Sequence, residues 1–125
     1  KFPRSFFVKQ FAKTLGSPEF KARSQRMIDA ARQRTDKEAP AIRIVDARIL
    51  GVLRTNDDGV HVGVTQKVVT EYGNTRRLAG TFGATLVRQK VVFVYLFGPY
   101  VGEQSVGTVL EAEETWMKAI IAANE

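Results

Sequence analysis

His61 is the single histidine in this 125-residue sequence, and the one side chain whose ordinary titration falls near neutral pH. It stands in Val60-His61-Val62-Gly63-Val64, on the polar side of an expected strand together with Thr65, where it could act as a general base. No second histidine and no nearby Asp-x-Ser supports that role, so the expectation is an exposed or half-buried structural histidine. Asn56-Asp57-Asp58 offers oxygen donors. The spaced carboxylates and distal glutamate of a calcium loop are missing, and a hairpin turn accounts for all three residues. Glu103, Glu111, Glu113 and Glu114 could supply a carboxylate pair for hydrolysis, but helix capping and a solvated helix face account for them better. Gly98-Pro99-Tyr100-Val101-Gly102 lacks the Gly-Lys-Ser/Thr ending of a phosphate loop. It reads as a turn leaving a strand, with Tyr100 either a binding residue at the mouth of a sheet or a lid on the core. No set of residues has the spacing of a catalytic or metal site, and no cofactor is expected.

Composition removes further classes. The absence of cysteine excludes disulfides, iron–sulfur clusters, zinc ribbons and thiolate nucleophiles. Hydrophobic residues make up 44% and charged residues 26%, which suits a folded domain and not a disordered chain. No apolar run reaches the roughly eighteen residues of a transmembrane helix. The length suits one domain, 1–125, with a core that needs no staples.

The net charge of +6 is unevenly placed. Residues 1–38 hold ten Lys or Arg against four acids, and the other 87 residues hold nine of each sign. The whole excess therefore lies in the N-terminal segment, where an anionic partner would meet it. Within it, Phe2, Phe6, Phe7 and Phe11 alternate with Lys1, Arg4, Lys9 and Lys13, without an acid. Such a pattern suits an interfacial helix on anionic lipid. It also suits a phenylalanine stripe covering the open face of a sheet, which is the favoured expectation for a domain this small. Arg76-Arg77 with Tyr72 and Arg54 could form a basic-aromatic patch for single-stranded nucleic acid, but the sheet half is neutral and nucleic acid is not the expected partner.

These residues need elements to hold them. Phe7, Phe11 and Leu15 fall at helical spacing over 4–15, and Gly16 stops that helix. Ser17, Pro18 and Glu19 are the N-cap, first position and acidic first turn of a second helix running to about Arg34, with Phe20, Met27, Ile28 and Ala31 as its buried stripe. Thr35 to Pro40 reads as a linker. Period-two patterning then predicts strands over Ile42–Arg54, Val60–Val68 and Thr75–Val87, and the unbroken apolar run Val91–Phe97 predicts a fourth. Asn56-Asp57-Asp58-Gly59, with an Asp-Gly pair for positive φ, Tyr72-Gly73-Asn74 and Arg88-Gln89-Lys90 are the turns. Gly80 and Gly83 mark a bulge, a bend or a close approach. Val91–Phe97, apolar at every position, is expected to be the central strand. A final helix starts near Ser105 or Thr108, the latter with Glu111 as a capping box, and buries Val109, Leu110, Trp116, Met117, Ile120 and Ile121; Glu113 alone breaks that stripe. Short connections predict an antiparallel meander with one face packed on helices. The expected fold is α+β: two N-terminal helices (the basic segment 1–38), a four-stranded antiparallel meander, and a C-terminal helix packed on the sheet (41–124).

The strand Val91–Phe97, the loop Gly98–Gly102 and the helix with Trp116 ending Ala119-Ile120-Ile121-Ala122-Ala123-Asn124 together resemble the end of the PsbP/Mog1-like domains of bacterial envelope proteins, over residues 42–124. The resemblance implies an antiparallel sheet between helices and a role in binding. It supplies no catalytic residues. The helical start departs from that family, whose domains usually begin with a strand pair: either the start has been lost, or the chain is another α+β domain such as a cystatin-like or NTF2-like one.

The sequence thus points to a binding or assembly domain of the cell envelope that docks on an acidic protein surface or an anionic membrane. Lys21, Arg23, Arg26 and Arg32 are the expected contact residues, with Tyr100 as a further binding candidate. Position 1 is not Met, which suggests a processed or trimmed product. With the envelope resemblance, the expected location is periplasmic or secreted with a leader removed, and cytoplasmic is the alternative. The competing reading is a small-molecule pocket near Tyr95, Tyr100 and Trp116. Self-association would use the edge strand Ile42–Leu53 or a helix face.

Overall fold

β-Branched and aromatic residues dominate from Ile42 onward, and the chain there is extended. It forms β1 (Ile42–Thr55), β2 (Val60–Thr70), β3 (Thr75–Val87) and β4 (Lys90–Pro99). α1 (Arg4–Leu15) and α2 (Pro18–Glu38) precede them, and α3 (Gln104–Ala123) follows. The computed structural model describes residues 2–38 and 42–125, with side chains for 2–30 and 43–125. The strands pair antiparallel in chain order, β1-β2-β3-β4, as short turns require. The α+β architecture and its meander agree with the sequence.

Local chemistry sets the boundaries. Ser17 Oγ accepts the Phe20 N–H at 3.1 Å and caps α2. α2 continues through Glu38, so Thr35–Glu38 is helix and not linker; Ala39 and Pro40 lie outside the described residues. Asn56 Oδ1 accepts the N–H groups of Asp58 and Gly59, closing the first hairpin. Gly59 does not supply a positive φ there. It is required by contact, since a Cβ would lie 2.5 Å from Met117 Sδ. At the third turn Arg88 and Gln89 both have positive φ, 49° and 66°, the conformation of a two-residue type I′ hairpin. α3 starts at Gln104. Thr108 bonds back to the Gln104 carbonyl instead of opening a capping box, and Ser105 Oγ accepts the N–H groups of Val101 and Gly102.

Helices cover both faces of the sheet, not one. On the first face Val8 and Leu15 of α1 pack against Ile49, Val60, Val62, Val64 and Ala84, flanked by Phe7, Phe11, Phe20 and Ile28. On the second, Met117 and Ile121 of α3 pack against Val87 and Val94. Both side-chain parities of β2 and β3 are therefore buried: Val60 with His61, Ala84 with Thr85. The α1 phenylalanine stripe is spent on the core. Two expected core residues are not in it: Met27 is exposed and Trp116 is half-exposed. Gly80 and Gly83 mark close approaches within an unbroken register: Phe97 lies over Gly80, and a Cβ at Gly83 would meet Met117 Cε and Glu113 Oε1.

The run Val91–Phe97 is at the edge of the sheet, which corrects its expected central position. A meander's last strand has one neighbour. Val92, Val94 and Leu96 are apolar because they face the α3 side. Val91, Phe93, Tyr95 and Phe97 form the other row and remain exposed. α1 spans β1 to β3 and meets this row where Phe11 approaches Phe93, with ring centroids 6.1 Å apart.

Candidate functional site

The most concentrated chemistry lies between β2 and α3. His61 points to the α3 side and is fully buried, so the expected exposed or half-buried position is corrected. Its Nδ1 donates to Glu113 Oε1 at 2.7 Å, and Glu113 is fully buried too. Nε2 lies 3.7 Å from Glu114 Oε2. Arg54 Nη1 reaches Glu111 Oε1 at 2.9 Å and Glu114 Oε1 at 3.3 Å, and Asn56 Nδ2 donates to Glu114 Oε2 at 3.0 Å. The hydrogen bonds that it donates to Glu111, then to Glu114, hold the Arg54 guanidinium above its usual range. The two carboxylates sit at opposite ring nitrogens, and among the described residues no three His, Asp or Glu groups converge on a metal position. Nothing can reach His61 from solvent. The cluster acts as a polar bracket joining α3 to the β1–β2 hairpin.

Sequence reading did not foresee this pair. Its signals were present: Glu113 alone interrupts the apolar stripe of α3, and His61 stands between two valines. Two unexplained polar residues on surfaces that must meet are each other's most economical partner.

The predicted contact residues are on the helix layer. Lys21, Arg23 and Arg26 are exposed; the Arg32 side chain lies outside the described residues. Phe20 and Ile28 fix the inward side of α2, which turns Arg23 and Arg26 outward together. Lys21 lies on the flank beside Gln25, Asp46 and Arg48. On α1, Lys9 and Lys13 are exposed near Phe6, which stacks on Phe2 at 5.6 Å. Among the described residues none of Lys9, Lys13, Lys21, Arg23 and Arg26 makes an ion pair.

Tyr100 is half-buried, with the Arg77 guanidinium 4.7 Å from its ring centroid and its N–H bonded to the Arg77 carbonyl. The pocket expected from Tyr95, Tyr100 and Trp116 is not assembled: Tyr95 belongs to the α1 side of the sheet and Trp116 to α3 on the other. A different cavity, about 360 Å³, lies between the end of β4 and α3, lined by Leu96, Gly98, Pro99, Val101 and Val109. The basic-aromatic patch is also dispersed. Arg54 pairs across from His61 at one end of β2, while Arg76 and Arg77 pair with Val68 and Lys67 near the other.

The structure defines the class of the protein as an α+β domain with helices on both faces of an antiparallel meander. No family model, curated protein or solved structure matches the chain.

Proposed function

We propose that the chain is a binding domain, not an enzyme, that docks on an anionic membrane surface through the outward side of α1 and α2. The observation that carries this reading is the layer of exposed, unpaired cations Lys9, Lys13, Arg23 and Arg26 interleaved with exposed Phe2, Phe6 and Met27. Cations reach anionic headgroups while the apolar side chains enter the acyl boundary. Among the described residues no helix is long and apolar enough to cross a membrane, so contact would be at the surface. An acidic protein surface is the second reading, favoured by the same cations without the phenylalanines. The envelope setting and the PsbP/Mog1-like kinship are part of this proposal and rest on the resemblance of the sequence over residues 42–124.

Co-sedimentation with phosphatidylserine-containing and neutral vesicles tests it. Binding is expected for the anionic vesicles only, and it should weaken as salt rises. Arg23→Glu with Arg26→Glu should weaken it roughly thirtyfold or more, at about 1 kcal/mol for each basic residue withdrawn from the surface. Phe2→Ala with Phe6→Ala should also weaken vesicle binding, whereas a purely electrostatic contact with an acidic protein would not change. Vesicle binding indifferent to the charge reversal would sink the idea.

A further inference from the structure

The sheet has two edges, and the chain treats them differently. β1 carries Arg43, Asp46, Arg48 and Arg54, and its register with β2 shifts at three places, Ile44/Asp46, Ile49/Gly51 and Val52/Arg54. Gln25 of α2 also occupies its backbone: Nε2 donates to the Ala47 carbonyl at 2.7 Å, and Oε1 accepts the Ile49 N–H at 3.4 Å. Charges, bulges and a covering side chain are the devices that keep an edge strand from pairing. Between its terminal Lys90 and Pro99, β4 has none of them. Val91–Phe97 contains no charge and no proline, and its register with β3 is unbroken from Leu78↔Pro99 to Val87↔Lys90. Among the described residues no side chain hydrogen-bonds to its backbone.

We infer that a second copy of this chain pairs with β4, antiparallel and two-fold, joining two four-stranded sheets into one. A strand laid along β4 must be apolar at consecutive positions, because both rows of β4 are apolar; β4 is itself such a strand. In the two-fold register centred on Val94, Phe93 lies opposite Tyr95 of the second copy and Val91 opposite Phe97. These are the aromatic and β-branched cross-strand pairs that stabilise sheets. Lys90 falls opposite Gly98, so like charges do not meet. The interface is isologous, and it closes as a dimer.

The exposed row sets an upper bound on the apolar side-chain area open to the second copy, so the expected affinity is modest. Val91, Phe93, Tyr95 and Phe97 are 44–60% exposed. Taking about 150–250 Å² for a whole aromatic side chain, they present roughly 400 Å². That is about half of the roughly 800 Å² which a stable dimer buries on each partner. Edge backbone and flanking side chains make up part of the remainder. The inference rests on β4 alone and is independent of the docking face on α1 and α2.

Sedimentation velocity of the full chain over about 1–100 µM, a range that brackets Kd values of ordinary reversible dimers, tests it. A dimer should fill across that range. Tyr95→Lys should weaken it at least roughly tenfold. Leu50→Lys, a matched change on the β1 edge, should leave it intact. Val91→Lys provides a second probe of β4 should circular dichroism show Tyr95→Lys misfolded. The inference is overturned by a chain still monomeric at the highest concentration or by an open-ended series of larger species. A dimer abolished by Leu50→Lys, or one spared by both β4 variants, overturns it as well.

Discussion

Glu113 and His61 illustrate what one buried polar residue demands of another. Removing Glu113 leaves His61 Nδ1 without an acceptor in a site closed to water, and removing His61 strands the carboxylate. Glu113→Leu is therefore expected to destabilise the fold by about 3–5 kcal/mol. The double variant His61→Leu/Glu113→Leu should recover much of that loss, because no polar group is then left unpaired. Urea unfolding of the two single variants and the double closes the cycle. A double variant whose loss equals the sum of the singles would show that the two residues act apart. Residue identity carried part of this site openly. The interruption of the α3 stripe at Glu113 is visible in the sequence. What could not be read there is that β2 has a covered second face: the Val60, Val62, Val64 alternation reports which side is buried, but it leaves the other side open to solvent or to another layer.

At the scale of elements, the turns explain why the strand boundaries were so legible. Asn56, Gly73 and the Arg88-Gln89 pair impose backbone geometry within a few residues, independent of how the strands later pack. The position of a strand within the sheet is a longer-range property. Val91–Phe97 is apolar on both rows because α3 covers one and the other remains open, and this looks the same in sequence as a strand covered twice. The opposite edge is guarded by a residue remote in sequence. Gln25 sits 22 residues from Ala47 and 24 from Ile49, yet its amide substitutes for a neighbouring strand at both positions. Gln25→Leu removes both bonds and keeps the side chain's bulk. The expected cost is about 1–2 kcal/mol. The sharper readout is amide hydrogen exchange: Ile49 should exchange faster in Gln25→Leu, while Val62 and Val64 on the neighbouring strand keep their protection. Unchanged exchange at Ile49 would mean that the side-chain bond does not guard that edge.

For the whole molecule, the question is whether three layers make one cooperative unit. The two helix layers do not share a hydrophobic cluster: Leu15 lies with Val60 and Val62 on one face, and Met117 with Val87 and Val94 on the other. They are joined by the sheet, and at one end by the Arg4 ion pair with Glu125; Arg88 of the β3–β4 turn also ties α3 to the sheet, its Nε donating to the Asn124 carbonyl at 2.6 Å. β2 and β3 are buried from both sides, so loss of either layer exposes strands that the other layer needs. Leu15→Ala and Met117→Ala should each destabilise the protein by about 2–5 kcal/mol. Leu15 and Met117 lie on opposite faces of the sheet and share no partner in their clusters, so the two losses should add to within roughly 0.5 kcal/mol in the double variant. Each single variant should still unfold in one transition. Trp116, the only tryptophan, sits on α3 and reports that layer by fluorescence, while far-ultraviolet circular dichroism reports all layers. Coincident curves are expected for Leu15→Ala. If the dichroism signal fell before the fluorescence, the basic helices would be coming away from an intact sheet and α3, and the docking surface would be a separately folding layer.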